Sequence, residues 1–328
     1  MKPVLKKAGR LLLVLMDWLW VASALAACLA WWTGWILKDS SRTTVWLFLI
    51  PPIFIAICGF LWLFFTLRNR FRIVQLVVFA TVIACFIKVL VIDHQWNRPP
   101  DQLPEDNLRI LHWNTAWGVL GVESIVRTMA LDNPDVVVIS EPPRLDMISD
   151  IAYHALGMEN VFTSDGMTVA SQYPITYLGE GKVENMAAWH VRIDTDKGSF
   201  ILVAADLVSR PDLNRIPPMN QLSAWLSTFT NDLPIVLVGD LNTPHDSVSF
   251  KPLRAKFRHA YEERGRGWPY TWPVPVSMYA IDHTWVSSDI QVNDYYLKLA
   301  KYSDHKRQII DLSLRRKILP PPEPAGVP

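Results

Sequence analysis

Residues Ile235-Val-Leu-Val-Gly239-Asp240-Leu241-Asn242-Thr243-Pro244 run from four aliphatic side chains straight into a carboxylate and an amide. Aliphatic runs this short, stopped by Gly and Pro, read as strands. A strand ending this way hands polar side chains to a loop on a rigid support, where site residues tend to lie. The construction recurs along the chain. Leu108–Trp113 is followed by Asn114, and Asp135–Ser140 by Glu141. Ile281–Val286 carries Asp282-His283, and Ser303-Asp304-His305 leads into Gln308–Leu312. Met167–Ser171, Ala187–Ile193 and Phe200–Ala205 are further predicted strands, while Val122–Leu131, Arg215–Phe229 and Asp246–Lys256 carry helical periodicity. Taken singly, a strand-end Asp or Asn caps a turn. Five in this order, among many strands and few helices, predict an α/β domain built around one chemical site.

The order of these signals resembles the endonuclease/exonuclease/phosphatase family. The resemblance runs through Leu-His-Trp-Asn114, Val-Ile-Ser-Glu141-Pro, Thr-Val-Ala-Ser171-Gln-Tyr-Pro174, Val-Gly-Asp240-Leu-Asn242, Tyr270-Thr271-Trp272, Ile-Asp282-His283 and Ser303-Asp304-His305. It implies a DNase I-like layered sandwich of two mostly antiparallel sheets flanked by helices, over residues 108–316. It also implies a phosphoesterase. Glu141 would be the principal ligand of Mg2+ or Mn2+, with Asn114 and Asp304 nearby; carboxylate oxygen suits such hard cations. Asp240 would orient the attacking water, Asn242 would donate to the phosphate, and His305 would be the imidazole of the site, its tautomer held by Asp282. His283 would pack beneath the site.

One position departs from the pattern. Where the family has His or Tyr at the end of a strand, this chain has Asp206 in Val203-Ala-Ala-Asp206-Leu. Two accounts are open. Strand alternation favours Asp206 facing the site, where an acid requires a proton, a second cation or an arginine, with Arg210 and Arg215 nearest in sequence. In the other, Asp206 turns toward a loop as a turn cap and phosphate contact falls to Asn242 and His305. His190, on the preceding predicted strand, is a candidate replacement for the missing imidazole.

Ahead of this domain, Trp18–Leu37, Val45–Leu67 and Ile73–Ile92 are apolar runs of about 20 residues, enough to cross a hydrocarbon core of ~30 Å. Trp18, Trp20, Trp31, Trp32, Trp35 and Trp46 lie toward their ends, as an interfacial belt would. Pro51-Pro52 should bend the second run. Lys2, Lys6, Lys7 and Arg10 precede the first run and Arg68, Arg70 and Arg72 follow the second, which favours an N-terminus inside and three crossings. The expected organisation is therefore an anchor over 1–94, a linker over 95–107, the domain, and a Pro-rich tail over 317–328. A rival reading takes Leu25-Ala26-Ala27-Cys28 as a lipoprotein cleavage box. Asp17 and the apolar residues after Cys28 oppose it, and either reading puts the domain outside the cytoplasm.

Charge narrows the substrate. The first 106 residues hold 11 Lys+Arg against 6 Asp+Glu, and the remainder 21 against 25, so the domain carries −4. No basic run offers a phosphate-backbone footprint, which weighs against a nuclease without excluding a local groove. The three cysteines, Cys28, Cys58 and Cys85, all lie in the anchor, so the domain has no thiolate metal site. The expectation is a metal-dependent hydrolase of a phosphomonoester or phosphodiester in a lipid head group or lipid-linked carrier, with no obligate protein partner. An extracytoplasmic nuclease is the first alternative and an inactive phospho-ligand binder the second.

Overall fold

The computed structural model describes residues 2–66, 71–143, 156–229 and 233–315. The chain divides into two compact units. One comprises Met1–Gln95 together with Ser209–Pro217 and Asp246–Phe250, and the other comprises the remainder.

The first unit is helical: α1 (Lys2–Leu37), α2 (Thr44–Phe48), α3 (Pro52–Thr66) and α4 (Arg72–Ile87), the last running on as a π turn over Lys88–Ile92. Its interior contains Trp31, Ile55, Ala56 and Cys85, with Val21, Cys28, Trp62, Val78 and Val82 in a second cluster. Gly34 is where α1 meets α2; a Cβ there would lie 2.2 Å from the Leu47 carbonyl oxygen.

The expected second span is divided into two helices. Pro51-Pro52 does not bend one long helix but separates α2 from α3, because proline supplies no N–H and clashes with the preceding turn. With 15 residues, α3 is about 22 Å long, short of a hydrocarbon core. Among the described residues, two helices, Leu11–Leu37 and Arg72–Ile92, are long and apolar enough to cross a membrane, rather than three. Arg68, Arg70 and the tail 317–328 lie outside the described residues.

Two loop segments belong to this helical unit. Asp39 accepts hydrogen bonds from Ser247 Oγ at 2.5 Å and from the Val248 N–H at 2.9 Å. Lys88 lies 2.5 Å from Asp93 and 3.4 Å from Asp246. These bonds draw Asp246–Phe250 out of the helix expected over Asp246–Lys256, where a 3-10 turn at Val248–Phe250 and a short helix at Lys251–Arg254 stand instead.

The second unit is an α/β sandwich. Its strands are β1 (Gln95–Trp96), β2 (Leu108–Asn114), β3 (Val136–Ser140), β4 (Asn160–Ser164), β5 (Met167–Ser171), β6 (Ile175–Glu180), β7 (Met186–Thr195), β8 (Gly198–Leu207), β9 (Ile235–Asp240), β10 (Arg258–His259), β11 (Gly265–Gly267), β12 (Asp282–Val286), β13 (Ile290–Lys298) and β14 (Arg307–Leu314). They form an eight-stranded sheet, β1-β11-β13-β14-β2-β3-β5-β4, and a six-stranded sheet, β10-β12-β9-β8-β7-β6. Both are mixed: β2/β3, β11/β13 and β8/β9 are parallel and most other pairs antiparallel. Fully apolar strands suit central positions, since both of their faces are covered. Ile110, Val138, Val169, Trp189, Leu202 and Val238 are among the buried side chains that join the two sheets. Helices α5 (Val122–Ala130) and α6 (Ile216–Leu226) flank them, burying Ile125, Val126 and Met129, and Met219, Leu222 and Leu226.

Besides the two- and three-residue strands β1, β10 and β11, the sequence did not announce β4, β6 and β13. β4 is half-buried along its length, while β6 and β13 contain bulges at Tyr177/Gly179 and Val292/Asp294.

Candidate active site

The middle strands of both sheets bring their polar ends together. From the larger sheet come Asn114 at the end of β2, Glu141 just past β3, and Asp304-His305 just ahead of β14; from the smaller come Asp206 on β8, Asp240 on β9 and Asp282 on β12. Glu141 and Asn242 take left-handed backbone conformations, φ 47° and 45°. Such torsions are uncommon outside glycine and are characteristic of tight turns and functional sites.

The geometry centres on His305. Its Nδ1 lies 2.8 Å from Asp282 Oδ2, and its Nε2 lies 3.8 Å from Asp240 Oδ2. Asn114 Nδ2 donates to Asp240 Oδ2 at 3.0 Å, and the Asn242 N–H donates to Asp240 Oδ1 at 2.9 Å. Asn242 Nδ2 donates to the Leu207 carbonyl at 2.6 Å, which fixes the plane of its amide. The loop before β14 is held by Ser303, whose Oγ donates to the Asn114 carbonyl at 2.6 Å and accepts the His305 N–H at 2.9 Å. Trp272 Nε1 donates to Asp304 Oδ2 at 2.8 Å.

Electrostatics follow from crowding. Burial together with Asp240, Glu141 and Asp282 pushes the Asp206 carboxyl up to about 8. Burial and Asp282 push Asp240 up to about 7. Burial alone would lower His305, but Asp282, through charge and hydrogen bond, and then Asp240 and Asp304 outweigh it and raise the imidazole to about 10. Asp282, though buried, is held below the usual carboxylate range by His305.

Asp206 thus lies among the acids of the site. Arg210 pairs with Asp212, and Arg215 donates to the carbonyls of Pro211, Leu213 and Arg210. The charges acting on Asp206 are the three carboxylates and, in the opposite sense, His305. His190 is not placed to replace an imidazole there. Ala187 is the partner of Asp206 and Val203 the partner of His190, so the two side chains leave opposite faces of the sheet. His190 stacks on Phe229, contacts Trp225 and bonds the Gly179 carbonyl.

A polar layer behind Asp282 was not evident from the sequence. His112 Nδ1 lies 3.8 Å from Asp282 Oδ1, an oxygen with no hydrogen-bond partner among the described residues. His112 is bonded instead to Gln308 and Ser140, and Gln308 accepts from Thr284 and Tyr295. Burial keeps His112 neutral, pushed down to about 4. His112 and Gln308 sit inside apolar strand runs; polar side chains at interior positions were the only available signal.

Two ligand sets can be considered for a cation. Asp240, Asp282 and His305 bring ligand atoms within 4.8 Å of one another. In that set the His305 Nδ1 and Asp282 Oδ2 are already spent on each other. The second set is Glu141, Asn114 and Asp304, oxygen donors from three strand ends of the larger sheet. The excess of carboxylate around Asp206 fits a hard divalent ion, which would relieve it.

A model of the Endonuclease/Exonuclease/phosphatase family matches residues 111–305. Solved structures share the fold. An endonuclease/exonuclease/phosphatase from Beutenbergia cavernae aligns at TM-score 0.50 and 20% identity, over 64% of this chain and 72% of that one. A mannosyl-6-phosphatase from Bacteroides thetaiotaomicron aligns at 0.50 and 14%, over 63% and 100%. D. rerio TDP2 complexed with a single-strand DNA product aligns at 0.50 and 15%, over 64% and 100%. No curated protein matches the sequence.

Proposed function

We propose, from the premise that this chain belongs to the endonuclease/exonuclease/phosphatase family, that it is a metal-dependent phosphoesterase anchored in a membrane. The observation that carries the reading is the buried His305–Asp282 pair facing Asp240 and Asn114, with Glu141 and Asp206 adding carboxylate to the same site.

Glu141, Asn114 and Asp304 would hold Mg2+ or Mn2+, which when bound polarises a phosphoryl oxygen and offsets charge on the leaving group. The protein's own groups divide the remaining work. Asp240, turned by Asn114 and by the Asn242 N–H, aligns the attacking water and takes its proton. With its proton retained to about 10, His305 acts as an imidazolium that donates to the phosphate through Nε2. Asp282 keeps that ring in place. The side-chain amide of Asn242 donates to a second phosphate oxygen. Asp206, its carboxyl pushed up to about 8 by burial and by Asp240, Glu141 and Asp282, holds a proton more readily than an ordinary carboxylate, or shares the cation, and so need not repel the substrate.

The substrate class follows from the anchor. Helices Leu11–Leu37 and Arg72–Ile92 support membrane attachment, and a phosphate ester in a lipid head group or lipid-linked carrier is the substrate such an enzyme meets. The −4 domain disfavours nucleic acid. We place the N-terminus inside and the domain outside, which requires that α2 and α3 together make a further crossing.

Hydrolysis of bis-p-nitrophenyl phosphate by the full chain in detergent tests the reading. Turnover with Mg2+ or Mn2+ that EDTA abolishes is expected. Absence of turnover on this diester and on a panel of phosphoinositide, polyprenyl phosphate, sphingomyelin and DNA substrates would leave an inert phospho-ligand binder.

A further inference from the structure

Asp282 and His283 are neighbours on β12, so their side chains leave opposite faces of the sheet. Asp282 turns toward His305, whereas His283 turns away and bonds the loop that carries Asn242. His283 Nε2 lies 2.7 Å from the Thr243 carbonyl oxygen, and its Nδ1 lies 3.0 Å from His259 Nε2. Both rings are buried, with relative exposures of 1% and 4%.

The protons can be assigned from donors and acceptors alone. A carbonyl oxygen only accepts, so His283 Nε2 carries hydrogen. In a neutral ring Nδ1 is then bare and must accept from His259 Nε2–H. His259 Nδ1 is left bare in turn, and it is a buried nitrogen with no hydrogen-bond partner among the described residues. The opposite tautomer of His259 would set two bare nitrogens against each other at 3.0 Å. The order His259 → His283 → Thr243 is therefore directional.

What it holds is the turn after β9. Thr243 is fully buried and adjoins Asn242, whose φ of 45° must be maintained by its surroundings. We infer that His283 and His259 are positioning residues: a two-ring relay that fixes the Thr243 carbonyl and so presents the Asn242 amide and N–H to the phosphate and to Asp240. The inference rests on the role proposed for Asn242. It gives the Asp282-His283 pair two jobs on two faces, one orienting the catalytic imidazole and one orienting the phosphate-binding loop.

The test uses the full chain. His259→Phe keeps a ring of similar size and leaves His283 in place but removes the donor; His259→Gln restores one. His259→Phe should lower kcat by about 10-fold or more with KM little changed, the scale of loss from a displaced positioning contact, and His259→Gln should recover most of it. In an Asn242→Ala background, His259→Phe should cost almost nothing further, because both act through one loop. Losses that multiply fully, or no loss in the single variant, overturn the inference. Nitrogen-15 spectra of the imidazoles give a readout independent of activity. Both rings should carry hydrogen on Nε2, and an Nδ1–H on either ring sinks the relay. If the wild type hydrolyses no ester, the proposed function fails while the tautomers still decide the hydrogen-bond order.

Discussion

His305 Nδ1 sits 2.8 Å from Asp282 Oδ2, while the second oxygen of that carboxylate has no hydrogen-bond partner among the described residues. Asp282 therefore makes its closest contact with His305 and interacts with His112 at longer range. His305→Ala should remove nearly all turnover, and Asp282→Asn should lower it by at least ~10²-fold by misorienting the ring. Combined, the two should cost little more than His305→Ala alone. Steady-state kinetics of the double variant checks this, and additive losses would give Asp282 a separate task.

Under the proposed function, metal dependence should turn on Glu141. Glu141→Gln keeps the shape but removes the charge, so turnover should fall by ~10²-fold or more and half-saturation should shift to higher metal concentration. The thermal transition should move little, because the residue lies past the end of β3 rather than in the core. Metal titration of the variant against wild type distinguishes lost affinity from misfolding.

The pH profile follows from two shifts of known direction. Asp240 must lose a proton to accept one from water, and its pKa is raised to about 7. His305 must keep its proton, and its pKa is raised to about 10. At low metal concentration, kcat/KM should rise through about pH 7 and fall toward about pH 10. Added metal favours the carboxylate form, so it should move the lower limb down. A profile that falls steadily from mildly acidic pH upward would contradict these roles.

Asp206 offers a sharper contrast. Asp206→His replaces an acid with the family's ring and should keep or raise activity. Asp206→Ala should lower activity and alter its dependence on metal concentration, because it removes one of the carboxylates crowding the site. If Asp206→Ala changes neither rate nor metal dependence, the residue is a bystander.

Gly239 is a stability test. A Cβ there would lie 1.8 Å from the Ala205 carbonyl oxygen, a backbone atom that cannot move without parting β8 from β9. Gly239→Ala should cost roughly 1–3 kcal/mol or more, the range for forced overpacking. It should also reduce activity, because Asp240 is the next residue. Chemical denaturation reads the first effect.

Membrane topology can be settled by reporters fused after Asp106 and within the α3–α4 connection. The proposed orientation expects the first to work only outside the cytoplasm and the second only inside. If α2 and α3 dip without crossing, the domain returns to the cytoplasmic side and the first reporter inverts.

Much of the sandwich could be read from residues because its central strands are uniformly apolar and end in polar groups. Met167–Ser171 has the expected bounds, and several other strands differ by one or two residues at their ends. Asn114, Glu141, Asp206, Asp240 and Asp282 stood out because a polar side chain after an apolar run is conspicuous. His112 and Gln308 did not, since a polar group inside a strand announces nothing until its partner on another strand is known. The helix expected from Asp246 failed for a related reason. Its first turn is taken by Asp39 and Lys88, more than 150 residues away in sequence.

Those distant bonds bear on how the protein can be cut. Ser209 comes soon after Asp206, and Asp246 directly after His245, so two loops leaving the site-bearing strands fold within the helical unit. A fragment beginning at Trp96 would leave Asp246 without Lys88, and Ser247 and the Val248 N–H without Asp39. The helical unit thus supplies the partners that hold Asp246–Val248. Trimming the helices for solubility would release two loops that begin a few residues from Asp206 and Asp240, so weak activity in the fragment would report the cut rather than the enzyme.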